Sequence, residues 1–407
     1  MQTQLTDEFK HSVIAQQAND ILRSCVHCGF CTATCPTYLQ LGDELDSPRG
    51  RIYLIKQLLE GQVPSAKTQG HLDRCLGCRS CETTCPSGVN YHRLLDVGRQ
   101  LVEVRVTRPL STRLLRFVLR RFLLNRFLFN SSLQLARTLS PLLPRALTRS
   151  IEKQSVASAH RLQPSRQAHT RKVILLDGCV QPGLQPDINL KTRQLLSHLG
   201  VEVIDCLSTT CCGALAHHLM AETESLQQAR NNIDRWLNLI DKGAEAIIVT
   251  TSGCSSHIKD YPALFSEDKH YAEKAGIVHQ HCKDISEFIQ LKDMPLFKKH
   301  EVIQSIAWHP PCSLQHGQQL HGKVKSMLTS LGYQLVEVKD QHLCCGSAGT
   351  YSILQADLSA QLLKNKIKYL EHKNADVIAT ANIGCQSHLL KQSNRPVLHW
   401  VQLLDYK

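Results

Sequence analysis

The sequence has no run of eighteen or more uncharged apolar residues anywhere in its 407 positions, which argues against a membrane-spanning helix. Met1 to Lys10 mixes polar and acidic side chains without an apolar core, so neither a Sec nor a twin-arginine signal is evident and a cytoplasmic protein is expected. The dinucleotide fingerprint G-x-G-x-x-G is missing, and Gly346-Ser347-Ala348-Gly349 lacks the Walker lysine. No flavin, NAD or nucleoside triphosphate site is therefore expected in this chain, and no catalytic residue is assigned to it. From Arg105 to Arg149 there is no acidic residue and no lysine, but there are ten arginines.

Cysteine, by contrast, is abundant: eighteen residues, which in a reducing compartment serve as metal ligands, redox groups or small buried apolar side chains. Cys25-Val26-His27-Cys28-Gly29-Phe30-Cys31-Thr32-Ala33-Thr34-Cys35-Pro36 is answered by Cys75-Leu76-Gly77-Cys78-Arg79-Ser80-Cys81-Glu82-Thr83-Thr84-Cys85-Pro86. Both read C-x2-C-x2-C-x3-C-P. Three cysteines spaced three apart let one loop offer thiolates to three corners of a cubic cluster, while the fourth, turned away by proline, ligates the other cluster of a pair. The expected sets are Cys25, Cys28, Cys31 and Cys85 for one 4Fe-4S cluster, and Cys35, Cys75, Cys78 and Cys81 for the second. Structural zinc prefers two separated C-x2-C pairs, and disulfides need an oxidising compartment, so both fit less well.

The formal charge is +12, and two oxidised clusters with their thiolates would lower it to about +8. A basic protein of this kind suits an acidic partner surface. The length allows two to three domains. We expect a helical ferredoxin-type domain over 1–104, an arginine-rich amphipathic helical segment over 105–154, a polar linker over 155–170, and two cysteine-rich α/β repeats over 171–300 and 301–407.

In the first domain, helices are expected from Gln2 to about Arg23, with Val13, Ile14 and Ile21 toward the core, from Arg51 to Glu60 with Gly61 as the stop, and from Tyr91 to Arg105. A helical projection of Ser111 to Phe129 puts Arg113, Arg116 and Arg120 on one side and Leu115, Val118, Leu119 and Phe122 on the other. Two readings stay open: a helix lying in a membrane interface with arginines on anionic headgroups, or a helix packed on a partner subunit. Nucleic acid is not expected as a partner, since no motif elsewhere supports it.

The second half repeats itself. The strand-like Arg171 to Leu176 leads to Cys179, and the weaker Ser305 to Trp308 leads to Cys312. Cys211-Cys212-Gly213 and Cys344-Cys345-Gly346 follow at the same interval, 179 to 211 and 312 to 344. Ala246 to Thr250 then precedes Gly253-Cys254-Ser255-Ser256-His257, as Asp376 to Thr380 precedes Gly384-Cys385-Gln386-Ser387-His388. Helical stretches near Ile188 to Leu199, Glu222 to Ile240, Gly322 to Leu331 and Ala356 to Leu370 alternate with these strands, so a duplicated α/β unit is expected. The fold class is thus α+β overall: an all-α ferredoxin-like module followed by the duplicated α/β cysteine-rich domain.

Adjacent cysteines followed by glycine place two sulfurs on a tight turn. The candidate further metal or iron–sulfur site is Cys179, Cys211, Cys212, Cys254 and His257 in the first repeat, with Cys312, Cys344, Cys345, Cys385 and His388 in the second; the alternative is a set of buried thiols. Cys206 and Cys282 stand outside the repeat and read as ordinary thiols, while His279, His281, His309 and His316 read as hydrogen-bonded histidines.

On Cys25 to Pro36, Asp46 to Lys56, Cys75 to Pro86, His342 to Tyr351 and Thr380 to Gln386, the chain resembles the iron–sulfur subunits of bacterial glycolate oxidases. Its second half is similar to the cysteine-rich CCG repeat domain of heterodisulfide reductases and of related lactate and glycerol 3-phosphate dehydrogenase subunits. That family's pattern ends in C-x-x-C, where His257 and His388 stand here. The resemblance implies two partners, a flavin subunit and a second flavoprotein-like subunit, the three chains together oxidising glycolate to glyoxylate. Electrons would pass through this chain toward a membrane acceptor such as quinone, placing it on the inner membrane's surface. The alternatives are the equivalent lactate or glycerol 3-phosphate dehydrogenase subunit and, from another class, a zinc-stabilised interaction scaffold.

Overall fold

The computed structural model describes residues 1–140, 169, 171–206 and 211–406. The expected linker over 155–170 therefore falls, apart from His169, outside the described residues, as do 141–154 of the arginine-rich segment. The chain forms two compact units. The first comprises Met1–Phe117, Gln315–Gly317 and His342–Lys366, and the second takes the rest.

The first unit is helical: α1 Val13–Ser24, α2 Pro36–Leu41, α3 Pro48–Leu59, α4 Ala66–Asp73, α5 Ser80–Thr84 and α6 Tyr91–Arg105. The first helix starts later than periodicity suggested. Ser12 caps it by accepting from the Ala15 N–H. Ala15, Ala18 and Leu22 form its buried stripe, whereas Val13 is 51% exposed, a correction to the expected core face. Leu22, Ile55, Leu58, Leu59, Leu94 and Leu95 fill a core that also takes in Cys25 and Cys81. The segment before α3 is tied down by sterics: a Cβ on Gly50 would sit 2.0 Å from the Glu44 carbonyl oxygen, so only glycine lets Ser47 cap the helix there.

The arginine-rich stretch folds as α7 Leu110–Leu124 and α8 Arg126–Thr138, divided at Asn125, whose side chain caps α8 by accepting from Leu128 N–H. Its polarity differs from the expected one. Arg116 is 7% exposed and lies 3.3 Å from Asp73, and Arg120 lies 3.4 Å from Glu224. Of the three arginines on the proposed headgroup side, only Arg113 is exposed. The cause is local pairing: carboxylates elsewhere in the chain capture cations that the segment itself cannot neutralise.

In the second unit, two four-stranded parallel sheets have the same topology. The first runs β2 (Val201–Ile204), β1 (Arg171–Leu176), β3 (Ala244–Val249), β4 (Cys282–Asp284); the second runs β7 (Gln334–Leu335), β6 (Ser305–Trp308), β8 (Val377–Thr380), β9 (Val397–His399). A small antiparallel pair joins β5 (Phe297–Lys299) to β10 (Leu404–Tyr406). Side chains alternate across the first sheet. Val173, Leu175, Ala246 and Ile248 enter a core shared with Ile306, Trp308, Val377 and Ala379 of the second sheet. Ile174, Leu176, Ile247 and Val249 face Trp236 and Tyr261 on the other side. Helices Pro186–His198, Glu222–Asp241, Lys323–Ser330 and Ala356–Glu371 lie within a residue or two of their expected positions. The mixed helix-and-strand architecture agrees with the expected fold class.

Candidate iron–sulfur sites

The two cysteine loops share one backbone device. His27 and Gly29 have φ of 56° and 86°, and their counterparts Gly77 and Arg79 have φ of 62° and 59°. These left-handed residues, at matched positions, curl each loop so that three sulfurs can face inward. A cavity is lined by Cys25, Cys28, Cys31 and Cys85, with Cys81, Ile52 and Tyr91 also on its wall. The fourth cysteine of the second loop thus stands with the first three of the first loop.

Cys35, Cys75, Cys78 and Cys81 lie within mutual electrostatic reach. The Tyr91 hydroxyl donates to Cys75 Sγ at 3.6 Å and the Gly77 N–H to the same sulfur at 3.5 Å. Burial pushes the Cys31 thiol up to about 11, raises Cys25, and carries Cys78 and Cys81 well above the ordinary value, with neighbouring sulfurs adding to the shift. Crowded thiolates of this kind need a cation among them, and deprotonation would accompany its uptake. None of the eighteen cysteines is diverted into a disulfide. Soft sulfur donors, left-handed loops and a four-sulfur cavity fit iron–sulfur clusters.

In the first repeat, four sulfurs form a continuous chain of thiol contacts beyond the carboxyl ends of the strands: Cys179 to Cys211, Cys211 to Cys212, and Cys212 to Cys254. Gly213, with φ of 95°, turns the chain tightly beside them. His257 is buried, its ring 5.3 Å from that of His217, and the rings of His217 and His218 are 5.7 Å apart. Sequence reasoning missed His217 and His218. Their signal was the asymmetry of the repeat, because Thr350 and Tyr351 occupy the same places after the second Cys-Cys-Gly.

Residues of the second set are counted in both compact units. Cys344 and Cys345 belong to the first unit, where the Cys344 sulfur lies within electrostatic reach of Cys78 and accepts from the Gly346 N–H at 3.4 Å. In the same unit the Tyr351 hydroxyl donates to the Arg74 carbonyl at 3.0 Å, and the Thr83 hydroxyl pairs with His316 Nδ1 at 2.8 Å. Cys312, Cys385 and His388 belong to the second unit, where Cys385 is buried and accepts from Asn382 Nδ2 at 3.7 Å. Cys282 is buried in the core, Cys206 packs at its edge, and His279 and His281 donate from Nδ1 to main-chain carbonyls. His309 is buried.

Comparison with known proteins gives a consistent picture. A 4Fe-4S dicluster domain family matches residues 21–89, and a cysteine-rich domain family matches 173–259 and 306–390. The chain is 48% identical over its whole length to the glycolate oxidase iron–sulfur subunit of Escherichia coli K12, covering 98% of that protein. It is 29% identical to the probable glycolate oxidase iron–sulfur subunit of Bacillus subtilis 168, covering 94% of this chain and 90% of that one. Lactate utilization protein A of Halalkalibacterium halodurans is 25% identical over 58% of the chain. With full-length similarity joined to two curled cysteine loops and a duplicated cysteine-rich domain, this chain belongs to the family of glycolate oxidase iron–sulfur subunits.

Proposed function

We propose that this chain relays electrons singly from a reduced flavin on a partner subunit, where glycolate becomes glyoxylate, toward a membrane acceptor such as quinone. The observation that carries the reading is the cavity lined by Cys25, Cys28, Cys31 and Cys85, beside the neighbouring set Cys35, Cys75, Cys78 and Cys81. A 4Fe-4S cluster bound at each set supplies a one-electron store that changes charge with little ligand rearrangement. The protein's part is to hold eight sulfurs with fixed geometry, to keep Cys35 and Cys81 dry, and to leave Cys28 exposed as a point of electronic access. The partners are a flavin-containing subunit and a second flavoprotein-like subunit.

The repeats supply the candidate further centre, with Cys179, Cys211, Cys212, Cys254 and His257 as its first set. Among the described residues no helix is long and apolar enough to cross a membrane. Contact with the bilayer is assigned instead to the exposed apolar faces of α7 and α8, which carry Leu114, Phe117, Phe127, Leu128 and Leu135 beside exposed Arg113 and Arg121. The lactate utilization relatives favour a second reading, the same relay serving a lactate dehydrogenase. The intact complex decides: anaerobic addition of glycolate, but not lactate or glycerol 3-phosphate, should bleach the visible absorption and bring up the reduced-cluster resonance. Reduction by lactate alone would favour the second reading.

A further inference from the structure

The surroundings of the two cysteine sets differ in charge. Near the first loop Arg49 is part-exposed and paired through its Nε with Glu44, and the Met1 ammonium, at the chain's surface, donates to the Cys25 carbonyl at 2.8 Å. Near the second set lies Arg51, 1% exposed and fully enclosed. Its Nε donates to the His71 carbonyl at 2.7 Å, its Nη1 and Nη2 donate to Thr37 Oγ1 at 3.1 and 3.2 Å, and its Nη2 lies 3.2 Å from Asp46 Oδ1. Thr37 Oγ1 donates to the Asp46 main-chain carbonyl at 2.9 Å and lies 3.2 Å from Cys35 Sγ.

Asp46 does not cancel this cation. It is shared with Arg74, whose Nε donates to it at 2.9 Å, so two guanidinium groups face one carboxylate. Arg99 adds a third positive group, donating to the Cys75 carbonyl at 2.7 Å, against one further carboxylate, Glu82, within electrostatic reach of Cys81. A buried, uncompensated positive charge stabilises an adjacent centre more when that centre carries one more electron. With Cys35 as a thiolate, the Thr37 hydroxyl can turn from the Asp46 carbonyl to the sulfur, and the two guanidinium N–H groups on its oxygen make it a better donor there.

We infer that Arg51 is a positioning residue for electron transfer: through Thr37 and Cys35 it raises the reduction potential of the second cluster and biases the electron toward it. This deepens the two-cluster reading and rests on it. In the exchange, one electron leaves the cluster of the first set and is gained by that of the second; no bond is made and no proton moves. Arg51 hydrogen-bonds to His71, Thr37 and Asp46, so its effect is read in an equilibrium.

The test is a potentiometric titration of the anaerobically prepared full chain, followed by electron paramagnetic resonance, comparing wild type with Arg51→Gln, Arg51→Lys and Thr37→Val. Arg51→Gln is expected to lower the second potential by at least the equivalent of a tenfold change in the exchange constant, about 59 mV for one electron. The first potential should not move. Arg51→Lys should restore most of the loss, and Thr37→Val should reproduce part of it. If Arg51→Gln fails to load iron, Thr37→Val and Arg51→Lys are read alone. An unshifted second potential in Thr37→Val and in every loading Arg51 variant, or equal shifts of both potentials, overturns the inference. Failure of the wild type to load two clusters would instead overturn the reading beneath it.

Discussion

Cys35 and Cys85 are the residues on which the interleaving of the two sets turns. Each ends its own loop, and Cys85 lies on the wall of the cavity that holds Cys25, Cys28 and Cys31. Cys35→Ser should therefore remove the resonance of the same cluster as Cys78→Ser, with iron falling from about eight to about four per chain, while Cys85→Ser removes the other. Cys35→Ser matching Cys28→Ser instead would mean that each loop ligates its own cluster. His399 offers a test of a different kind. It is buried with Nε2 2.9 Å from the Thr250 carbonyl, and burial pushes its imidazole down to about 4 from an ordinary 6.5. With the folded-state value depressed, the unfolded chain binds the extra proton between those limits. Stability is then intact above about 6.5 and falls by up to about 3 kcal/mol as the pH drops toward 4. Thermal melts of His399→Gln should show a shallower slope across that window; an unchanged slope would locate the acid sensitivity elsewhere. The cysteine spacing was legible because thiolate geometry demands it. His217 and His218 were not, because histidine pairs occur for many reasons and only tertiary packing against His257 distinguishes them.

At the scale of elements, α7 shows where pattern and structure part. The helical period was readable, and so was the segregation of arginine from leucine. Which side faces the protein was not, since it depends on Asp73 and Glu224, both distant in sequence. With Arg116 buried, charge reversal there would set a carboxylate against Asp73 and cost about 3–5 kcal/mol of stability, so such a variant reports folding and not lipid binding. The informative change is on the exposed side. Leu114→Glu with Phe127→Glu should release the protein from anionic vesicles in a sedimentation assay while leaving the melting temperature unchanged. Sedimentation equal to wild type would assign these faces to a partner subunit. The strands Gln334–Leu335 and Val397–His399 escaped the sequence reading because two or three residues carry too little pattern, and Val201–Ile204 because only its first residue is buried. Their longer neighbours β1, β3, β6 and β8 were visible as apolar runs, the mark of strands buried on both faces.

Over the whole molecule, one chain combines a helical module built around sulfur with a duplicated α/β domain whose two sheets have matching strand order. The duplication was plain from equal intervals between cysteines, since a repeated fold preserves distances between strand ends better than it preserves side chains. The division into compact units was less legible: residues 342–366 belong with the first unit although the repeat places them in the second half. Sequence periodicity reports ancestry, and packing reports present contacts. The substrate lies beyond any spacing rule and comes from similarity along the entire chain. The proposal on which the rest depends is a pair of iron–sulfur clusters. Anaerobic preparation of the chain with iron and acid-labile sulfide analysis and electron paramagnetic resonance tests that most directly: at least about eight irons and eight sulfides per chain, with two interacting reduced clusters, is the expected result. A colourless, zinc-loaded protein, or one holding about four irons in a single cluster, would contradict it.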